Sequence, residues 1–198
     1  MAIGVLGGAF NPPHIGHLVL AQEAAAQLGL ERIRLVPTGR PPHRTIGQDP
    51  GMPTRLEMTN IAAQRNDLLE VDDSEIAAAA DEEPSYTVRT LERLSRDHDD
   101  IALLMGADVA ANLDEWHLPE RVLELARVGI AARPGTALDE AEATLERLGG
   151  SERGEVVQMP ELGVSSTRIR RRVARGRPVR YLVTDGVLEL IESRGLYR

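Results

Sequence analysis

The chain has 198 residues, of which 42% are hydrophobic, and its formal net charge is −8. This length and composition predict a single globular domain of 1–198 and exclude a disordered or fibrous protein. The acidic balance argues against general binding to nucleic acid. No apolar run has membrane-spanning length, and no leader precedes the first strand-like segment. We therefore expect a cytoplasmic protein without a membrane partner.

Two residue types are missing, and each absence excludes a class of chemistry. The chain has no Cys, so disulfides, thiolate nucleophiles and Cys-based metal sites are excluded. All 23 basic residues are Arg, so there is no Lys for a Walker A phosphate loop, a Schiff base or a Lys-linked nucleotide intermediate. Any phosphate chemistry must use Arg, His, backbone amides and metal.

Apolar runs, helical spacing and turn residues predict alternating strands and helices. In chain order we expect a strand at 2–6, a helix at 15–28, a strand at 33–36, a long loop at 37–53, a helix capped by Thr54 and running to 65, one or two short strands within 68–80, a helix capped by Ser85 and running to 94, a strand at 101–105, a helix at 119–125, a strand at 128–132, a helix at 138–148, a strand at 156–158, and helices at 167–174 and 185–194.

Alternating elements with apolar strands are typical of a parallel sheet covered on both faces. We expect an α/β fold, a doubly wound Rossmann-like parallel sheet with a small helical C-terminal part of about 164–198. Ligands of such sheets bind beyond the carboxyl ends of the strands. Two such ends are Gly7-Gly8 and Gly106-Ala107-Asp108.

The segment GGAFNPPHIGH, Gly7 to His17, follows the first strand and opens the first helix. Glycines let a phosphate approach the backbone, and the helix start offers free amides and partial positive charge. His14 and His17 can then face one ligand, with Gly16 leaving room between them. A tight turn is the alternative for the glycines alone, and a zinc pair is the alternative for the histidines, although no third ligand lies nearby.

This segment resembles the HxGH signature of the nucleotidyltransferase superfamily, and it looks most like bacterial nicotinate-nucleotide adenylyltransferases. The resemblance implies that ATP and nicotinic acid mononucleotide are joined to give deamido-NAD and pyrophosphate, and that His14 and His17 contact the ATP phosphates. It implies that the neighbouring positions bind ATP as well: Gly7, Gly8, Ala9, Phe10 and Gly16.

A second segment, Val164 to Arg170, follows a short strand and opens a helix. Its hydroxyls can cap the free amides or share them with a phosphate, and Arg170 lies one turn after Ser166. The alternative is an ordinary helix cap. The segment resembles the family's SSTxIR signature, which implies ATP binding by Ser165, Ser166 and Thr167 and a catalytic role for Arg170. The other arginines of 168–180 are expected to form a solvated helix face.

Three further segments resemble the parts of the family that select the substrate. PPHR, at 41–44, supplies Arg44, where the family often has Lys. PSYT, at 84–87, supplies Tyr86 and Thr87 for the mononucleotide, and the resemblance implies that Thr87 and nearby amides hold the nicotinate carboxylate. The alternative is a helix cap with Tyr86 packed beneath it. The GxD…W pattern supplies Gly106 and Asp108 for the ribose of ATP, and Trp116 and His117 for the nicotinate ring, onto which Trp116 would stack.

The predicted mechanism is direct in-line transfer, in which the mononucleotide phosphate attacks the α-phosphorus of ATP and pyrophosphate leaves. We expect Mg²⁺ to bridge triphosphate oxygens, without dedicated protein ligands. The alternatives are transfer to nicotinamide mononucleotide or to another acceptor such as phosphopantetheine, a non-catalytic nucleotide-binding protein, and an Arg-rich interaction module at 168–180. Whether the chain forms a homo-oligomer is left open.

Overall fold

The computed structural model describes residues 1–42, 45–132 and 138–198, apart from the side chain of Asp81. The strands are β1 (Ala2–Gly8), β2 (Arg32–Pro37), β3 (Leu69–Val71), β4 (Asp100–Gly106), β5 (Arg127–Ala132) and β6 (Gly154–Gln158). The helices are α1 (Ile15–Leu28), α2 (Met52–Ala63), α3 (Ser74–Ala78), α4 (Thr87–Leu94), α5 (Ala107–Ala110), α6 (Pro119–Leu125), α7 (Leu138–Arg147), α8 (Ser166–Ala174) and α9 (Asp185–Ser193).

The strands form one six-stranded sheet in the order β3-β2-β1-β4-β5-β6. The pairs β1–β4, β4–β5 and β5–β6 are parallel. The order runs outward from β1 in both directions, as in a doubly wound sheet. The predicted α/β fold is therefore confirmed, and within the described ranges no helix is long and apolar enough to cross a membrane.

The chain divides into two compact units. The first comprises Met1–Gly7, Leu20–Arg34 and Tyr86–Glu161, and the second comprises Gly8–Val19, Leu35–Ser85 and Leu162–Arg198. The core of the first unit is built on β1, β4 and β5, whose apolar side chains are almost fully buried. The second unit has a separate apolar cluster in which α2, α8 and α9 meet, with Met58, Ile169 and Ile191 at its centre.

Two predicted helix caps are wrong. Thr54 lies inside the first turn of α2, because that helix begins at Met52 after Gly51, and Pro53 occupies its start, where a missing N–H costs nothing. Ser85 does not cap α4, whose cap position is Tyr86. The Ser85 hydroxyl instead accepts hydrogen bonds from the backbone N–H groups of Gly39 (3.1 Å) and Arg40 (3.0 Å). A loop-to-loop contact has replaced the local cap.

The region 68–80 holds one short strand, β3, followed by helix α3, rather than a second strand. Asp72 explains the change of direction, because its carboxylate accepts a hydrogen bond from the N–H of Ser74 at 3.0 Å and forms a local turn. The helix α5, directly after β4, was not predicted, since four residues are too few to show a helical period.

Arg55 in α2 is the largest fully buried side chain of the second unit, at 0% exposure. Its guanidinium donates to the carbonyls of Ala9 (3.1 Å), Thr38 (2.6 Å) and Gly39 (3.3 Å), and pairs with Asp49 at 3.0 Å. One buried cation thus ties the turn after β1 to the beginning and the end of the loop before α2.

Replacing Arg55 by Met should lower the free energy of unfolding by about 3 kcal/mol or more, because three carbonyls and a carboxylate lose a donor that is itself fully buried. The control is Arg194→Met, which removes an exposed ion pair with Glu57 (2.7 Å) and should cost less than about 1 kcal/mol. Denaturant unfolding of both variants measures the difference. Equal losses would contradict the role given to Arg55.

Candidate active site

The turn between β1 and α1 carries the first predicted site segment. Phe10 has a left-handed backbone, φ 45°, although it is neither Gly nor Asn, and its side chain is 2% exposed. Such a conformation costs free energy and persists only where packing enforces it. The Phe10 ring meets the edge of the His17 ring, with centroids 5.0 Å apart. Because the side chain is buried here, Phe10 can offer a ligand only its backbone.

His14 and His17 are brought together as the sequence predicted. Their rings stack at 3.7 Å between centroids with 19° between the planes, and His14 is only 7% exposed. The backbone N–H of His14, just before α1, donates to Nδ1 of His17 at 3.1 Å. His17 therefore caps its own helix, one turn back, in the manner of a capping box. Since Nδ1 is an acceptor, the neutral ring carries its proton on Nε2.

The position of Gly16 leaves little room for a side chain, because the His14 ring and Val164 lie against it. A Cβ at this position would lie 3.0 Å from Cγ1 of Val164 and 3.1 Å from the His14 ring. These distances are tighter than ordinary contacts, so any side chain would displace the His14 imidazole. Gly8, by contrast, ends β1 with open space on its Cβ side apart from Phe10 at 3.9 Å. Close approach to the backbone is thus available at the strand end.

The second predicted segment begins α8 and lies against the same turn. Ser165 is the cap residue, and its hydroxyl accepts from the N–H of Arg168 at 3.2 Å. The Ser166 hydroxyl donates to the carbonyl of Pro12 at 2.8 Å. Nη1 of Arg170 donates to the carbonyl of Asn11 at 2.7 Å. The two segments, far apart in sequence, are therefore in direct contact within the second unit.

Arg170 is half-buried and oriented from two sides. Besides its bond to Asn11, its Nη2 donates to the Thr167 hydroxyl at 3.3 Å. Gly47 approaches the same guanidinium, since a Cβ on that glycine would lie 3.9 Å from Nη2. A fixed, half-buried guanidinium beside a helix start is suited to bind an anion bidentately.

Sequence reasoning missed Asn11 and Tyr197 as site-supporting residues. Asn11 is 1% exposed, and its Nδ2 donates to the carbonyl of Gly47 at 3.0 Å. Its Oδ1 accepts from the Tyr197 hydroxyl at 2.6 Å. Burial raises the pKa of Tyr197 well above its ordinary value, so the phenol remains a donor. The only sequence signal was an Asn placed directly before Pro-Pro in a predicted phosphate turn.

The predicted site residues Gly106, Asp108, Tyr86 and His117 fall in the first unit. Gly106 precedes α5 and Asp108 lies exposed in its first turn. Tyr86 and His117 form a ring pair with centroids 4.2 Å apart. The Arg89 guanidinium lies 5.6 Å from the Tyr86 ring centroid, which makes it a further cation beside this pair that sequence reasoning missed.

Trp116 and Thr87 lie at the end of a short turn and at the start of a helix. Trp116 is half-buried after the 3₁₀ turn Leu113–Glu115, and Thr87 is the first residue of α4. Gly7 is the penultimate residue of β1. Arg44, predicted to contact the mononucleotide, lies outside the described residues.

A cavity of about 350 Å³ beside α8 is lined by two hydroxyl residues and five arginines: Ser165, Thr167, Arg168, Arg171, Arg172, Arg175 and Arg177. Two of the arginines are tied to the backbone of their own unit. Arg168 donates to the carbonyl of Gly163 at 2.7 Å, and Arg172 donates twice to that of Pro178, at 2.8 and 3.0 Å. Arg168 therefore holds the backbone just before α8, and Arg172 holds the backbone just after it. These bonds favour a structural role for the two arginines over a general interaction module.

The described residues contain no group of three or more His, Cys, Asp and Glu side chains that could hold a metal ion. His14 and His17 stack on each other, and within the described ranges neither belongs to such a group. The zinc alternative therefore gains no support from the described residues.

Residues 5–172 match the cytidylyltransferase-like family, and this range contains both site segments. A probable nicotinate-nucleotide adenylyltransferase of Dechloromonas aromatica is 39% identical over 99% of this chain and 97% of its own length. One from Roseiflexus sp. is 40% identical over 99% of this chain and 98% of its own length.

Among solved structures, the Plasmodium falciparum nicotinic acid mononucleotide adenylyltransferase complexed with NaAD superposes with a TM-score of 0.79 at 16% identity, covering 99% of this chain and 97% of that one. A putative nicotinate-nucleotide adenylyltransferase from Vibrio parahaemolyticus gives a TM-score of 0.69 at 20% identity, covering 100% and 96%. At these identities the likeness concerns the fold.

The His17 contact predicts a specific tautomer. In long-range ¹H–¹⁵N NMR spectra, recorded at a pH where the imidazole is neutral, the His17 proton should reside on Nε2, because Nδ1 accepts the His14 N–H. The exposed His117 ring serves as an internal reference. A proton on Nδ1 of His17 would show that the capping contact does not form.

Proposed function

The chain belongs to the cytidylyltransferase-like family and, within it, to the nicotinate-nucleotide adenylyltransferases, and from this premise we propose how its residues carry out the reaction. The enzyme joins ATP to nicotinic acid mononucleotide, giving deamido-NAD and pyrophosphate in NAD biosynthesis. An oxygen of the mononucleotide phosphate forms a bond to the α-phosphorus of ATP, and the bond from that phosphorus to the pyrophosphate oxygen breaks.

The observation that carries the assignment of roles is the contact between the two segments. Hydrogen bonds from Ser166 to Pro12 and from Arg170 to Asn11 hold the start of α8 against the turn that presents His14 and His17. Imidazole, guanidinium and helix amides then lie on one rigid frame, where the transition state would place its charge. We assign catalysis to His14, His17 and Arg170.

ATP would be bound by backbone groups and hydroxyls of the two site segments in the second unit, and by residues at or just after the ends of β1 and β4 in the first. We assign Gly7, Gly8, Ala9, Phe10, Gly16, Gly106, Asp108, Ser165, Ser166 and Thr167 to ATP, with Phe10 contributing its backbone because its ring is buried. Transfer from ATP uses a divalent metal ion, and we propose Mg²⁺, held by the phosphates. Bound there, it would neutralise phosphate charge.

The mononucleotide is assigned to Tyr86, Thr87, Trp116 and His117, together with Arg44. The Tyr86–His117 ring pair and the half-buried Trp116 supply flat aromatic surfaces for a pyridine ring, and Thr87 supplies a hydroxyl for its carboxylate. Arg89, beside Tyr86, adds positive charge near this group. We further propose that 1–198 acts as one nucleotidyltransferase domain, while the cytoplasmic location stays a prediction.

The proposal is tested by pyrophosphate release from ATP with Mg²⁺, using nicotinic acid mononucleotide, nicotinamide mononucleotide and phosphopantetheine as acceptors in parallel. Release with the acid in clear preference to the other two is expected. Preference for nicotinamide mononucleotide would support the same type of reaction but with a different acceptor. ATP binding without any release would favour a nucleotide-binding protein that has lost catalysis.

Substituting His17 by Ala should lower kcat by about 10²–10³, the usual loss when one oriented charge stabiliser is removed. The fold should survive, because a capping hydrogen bond such as the one at the start of α1 contributes only about 1 kcal/mol. His98→Ala, four residues beyond the end of α4 and without a proposed role, is the matched control. A His17→Ala rate near that of the wild type would remove His17 from the catalytic set.

Substituting Trp116 by Ala should raise the KM for the mononucleotide roughly tenfold and change the KM for ATP much less, since ring stacking contributes about 1–3 kcal/mol. Steady-state kinetics with each substrate varied in turn measures both constants. Equal changes in the two would argue against stacking on the pyridine ring.

A further inference from the structure

Both polar groups of the Asn11 side chain, and its backbone carbonyl, form hydrogen bonds within the second unit. Oδ1 accepts from the Tyr197 hydroxyl at 2.6 Å, and Nδ2 donates to the Gly47 carbonyl at 3.0 Å. The backbone carbonyl accepts from Nη1 of Arg170 at 2.7 Å. Asn11 thus joins Tyr197, the loop before α2 and the Arg170 guanidinium.

Tyr197 fixes which way round the Asn11 amide lies. The phenol is 7% exposed and remains protonated because burial raises its pKa, so it offers a hydrogen to an acceptor oxygen. The Gly47 carbonyl can only accept, which requires the amide nitrogen on its side. Both contacts favour the same orientation, and a flipped amide would place a donor against a donor at one end and an acceptor against an acceptor at the other.

The orientation of Asn11 bears directly on Arg170. The guanidinium is tied to the Asn11 carbonyl, and Gly47, held by the Asn11 amide, lies beside its Nη2. Losing the two side-chain bonds would release the Asn11 backbone, whose carbonyl orients Nη1, and the Gly47 backbone, which borders Nη2. Phosphoryl transfer is sensitive to such shifts, because misplacing a stabilising group by about 1 Å can cost about 10²-fold in rate.

We propose that Tyr197 is a positioning residue for adenylyl transfer, which acts through Asn11 to orient the Arg170 guanidinium and the Gly47 segment of the loop. This inference rests on the proposed catalytic role of Arg170. It assigns a task to the penultimate residue of the chain, whose ring otherwise packs in the apolar cluster of α2, α8 and α9.

The test is a double-mutant cycle on two readouts, kcat from pyrophosphate release and the dissociation constant for ATP from calorimetry. Tyr197→Phe keeps the ring in its cluster and removes only the hydroxyl. We expect kcat to fall about tenfold and the ATP dissociation constant to rise several-fold, the size of one lost hydrogen bond. Tyr181→Phe, at a tyrosine that is 80% exposed, is the matched control and should change neither.

The cycle with Arg170→Ala separates positioning from mere stability. If Tyr197 acts through Arg170, Tyr197→Phe should add nothing to Arg170→Ala in either readout, although it lowers the thermal midpoint in both backgrounds. Asn11→Ala should reproduce the loss, and Tyr197→Phe should again add nothing to it. Equal fold-losses with and without Arg170, or a Tyr197→Phe protein that behaves like Tyr181→Phe, would overturn the proposal.

Failure of the proposed function gives a different result. In that case the wild type releases no pyrophosphate with any acceptor, while the ATP dissociation constants of the four proteins of the cycle still decide whether Tyr197 is coupled to Arg170. An ATP affinity that is the same in all four overturns the coupling.

Discussion

The hydrogen bond from Arg170 to the carbonyl of Asn11 is the contact on which the site depends. It joins the turn after β1 to the start of α8 and so brings together two short segments that lie at opposite ends of the chain. The Ser166 hydroxyl repeats the connection one residue further along, at Pro12. Arg55 also stabilises this turn, because its guanidinium donates to the carbonyl of Ala9. These contacts hold the turn and the Arg170 guanidinium together, and groups held in place in this way are the ones that stabilise a transition state most effectively.

The composition and the geometry support the same chemistry. A chain without Cys or Lys has neither of the side chains most often used for covalent nucleotide intermediates. What the second unit presents instead is a pair of stacked imidazoles, a half-buried guanidinium and the hydroxyls and amides of a helix start. These groups position anions and stabilise charge. They suit a reaction in which one substrate supplies the attacking oxygen and the other supplies the leaving pyrophosphate.

The fold and the two site segments could be predicted from sequence because both are local patterns. The periodicity of Ile15–Leu28 and the apolar run of β4 each reflect contacts within one element, and α1 begins and ends where the pattern placed it. The supporting residues could not be predicted, because their partners are distant. Tyr197 bonds to a residue 186 positions away, and Ser85, predicted as a cap, bonds to a loop 45 positions away. In the sequence, Arg55 cannot be distinguished from an exposed helical arginine, and its structural role follows from its burial.

The central proposal is that His14, His17 and Arg170 catalyse a single displacement at the α-phosphorus, with no covalent enzyme intermediate. The stereochemical course tests it most directly. ATP made chiral with sulfur at the α-phosphorus would be converted with nicotinic acid mononucleotide, and the configuration of the dinucleotide product determined. One in-line displacement inverts the phosphorus, so the account predicts inversion. Retention would require two displacements through a covalent enzyme intermediate and would contradict it.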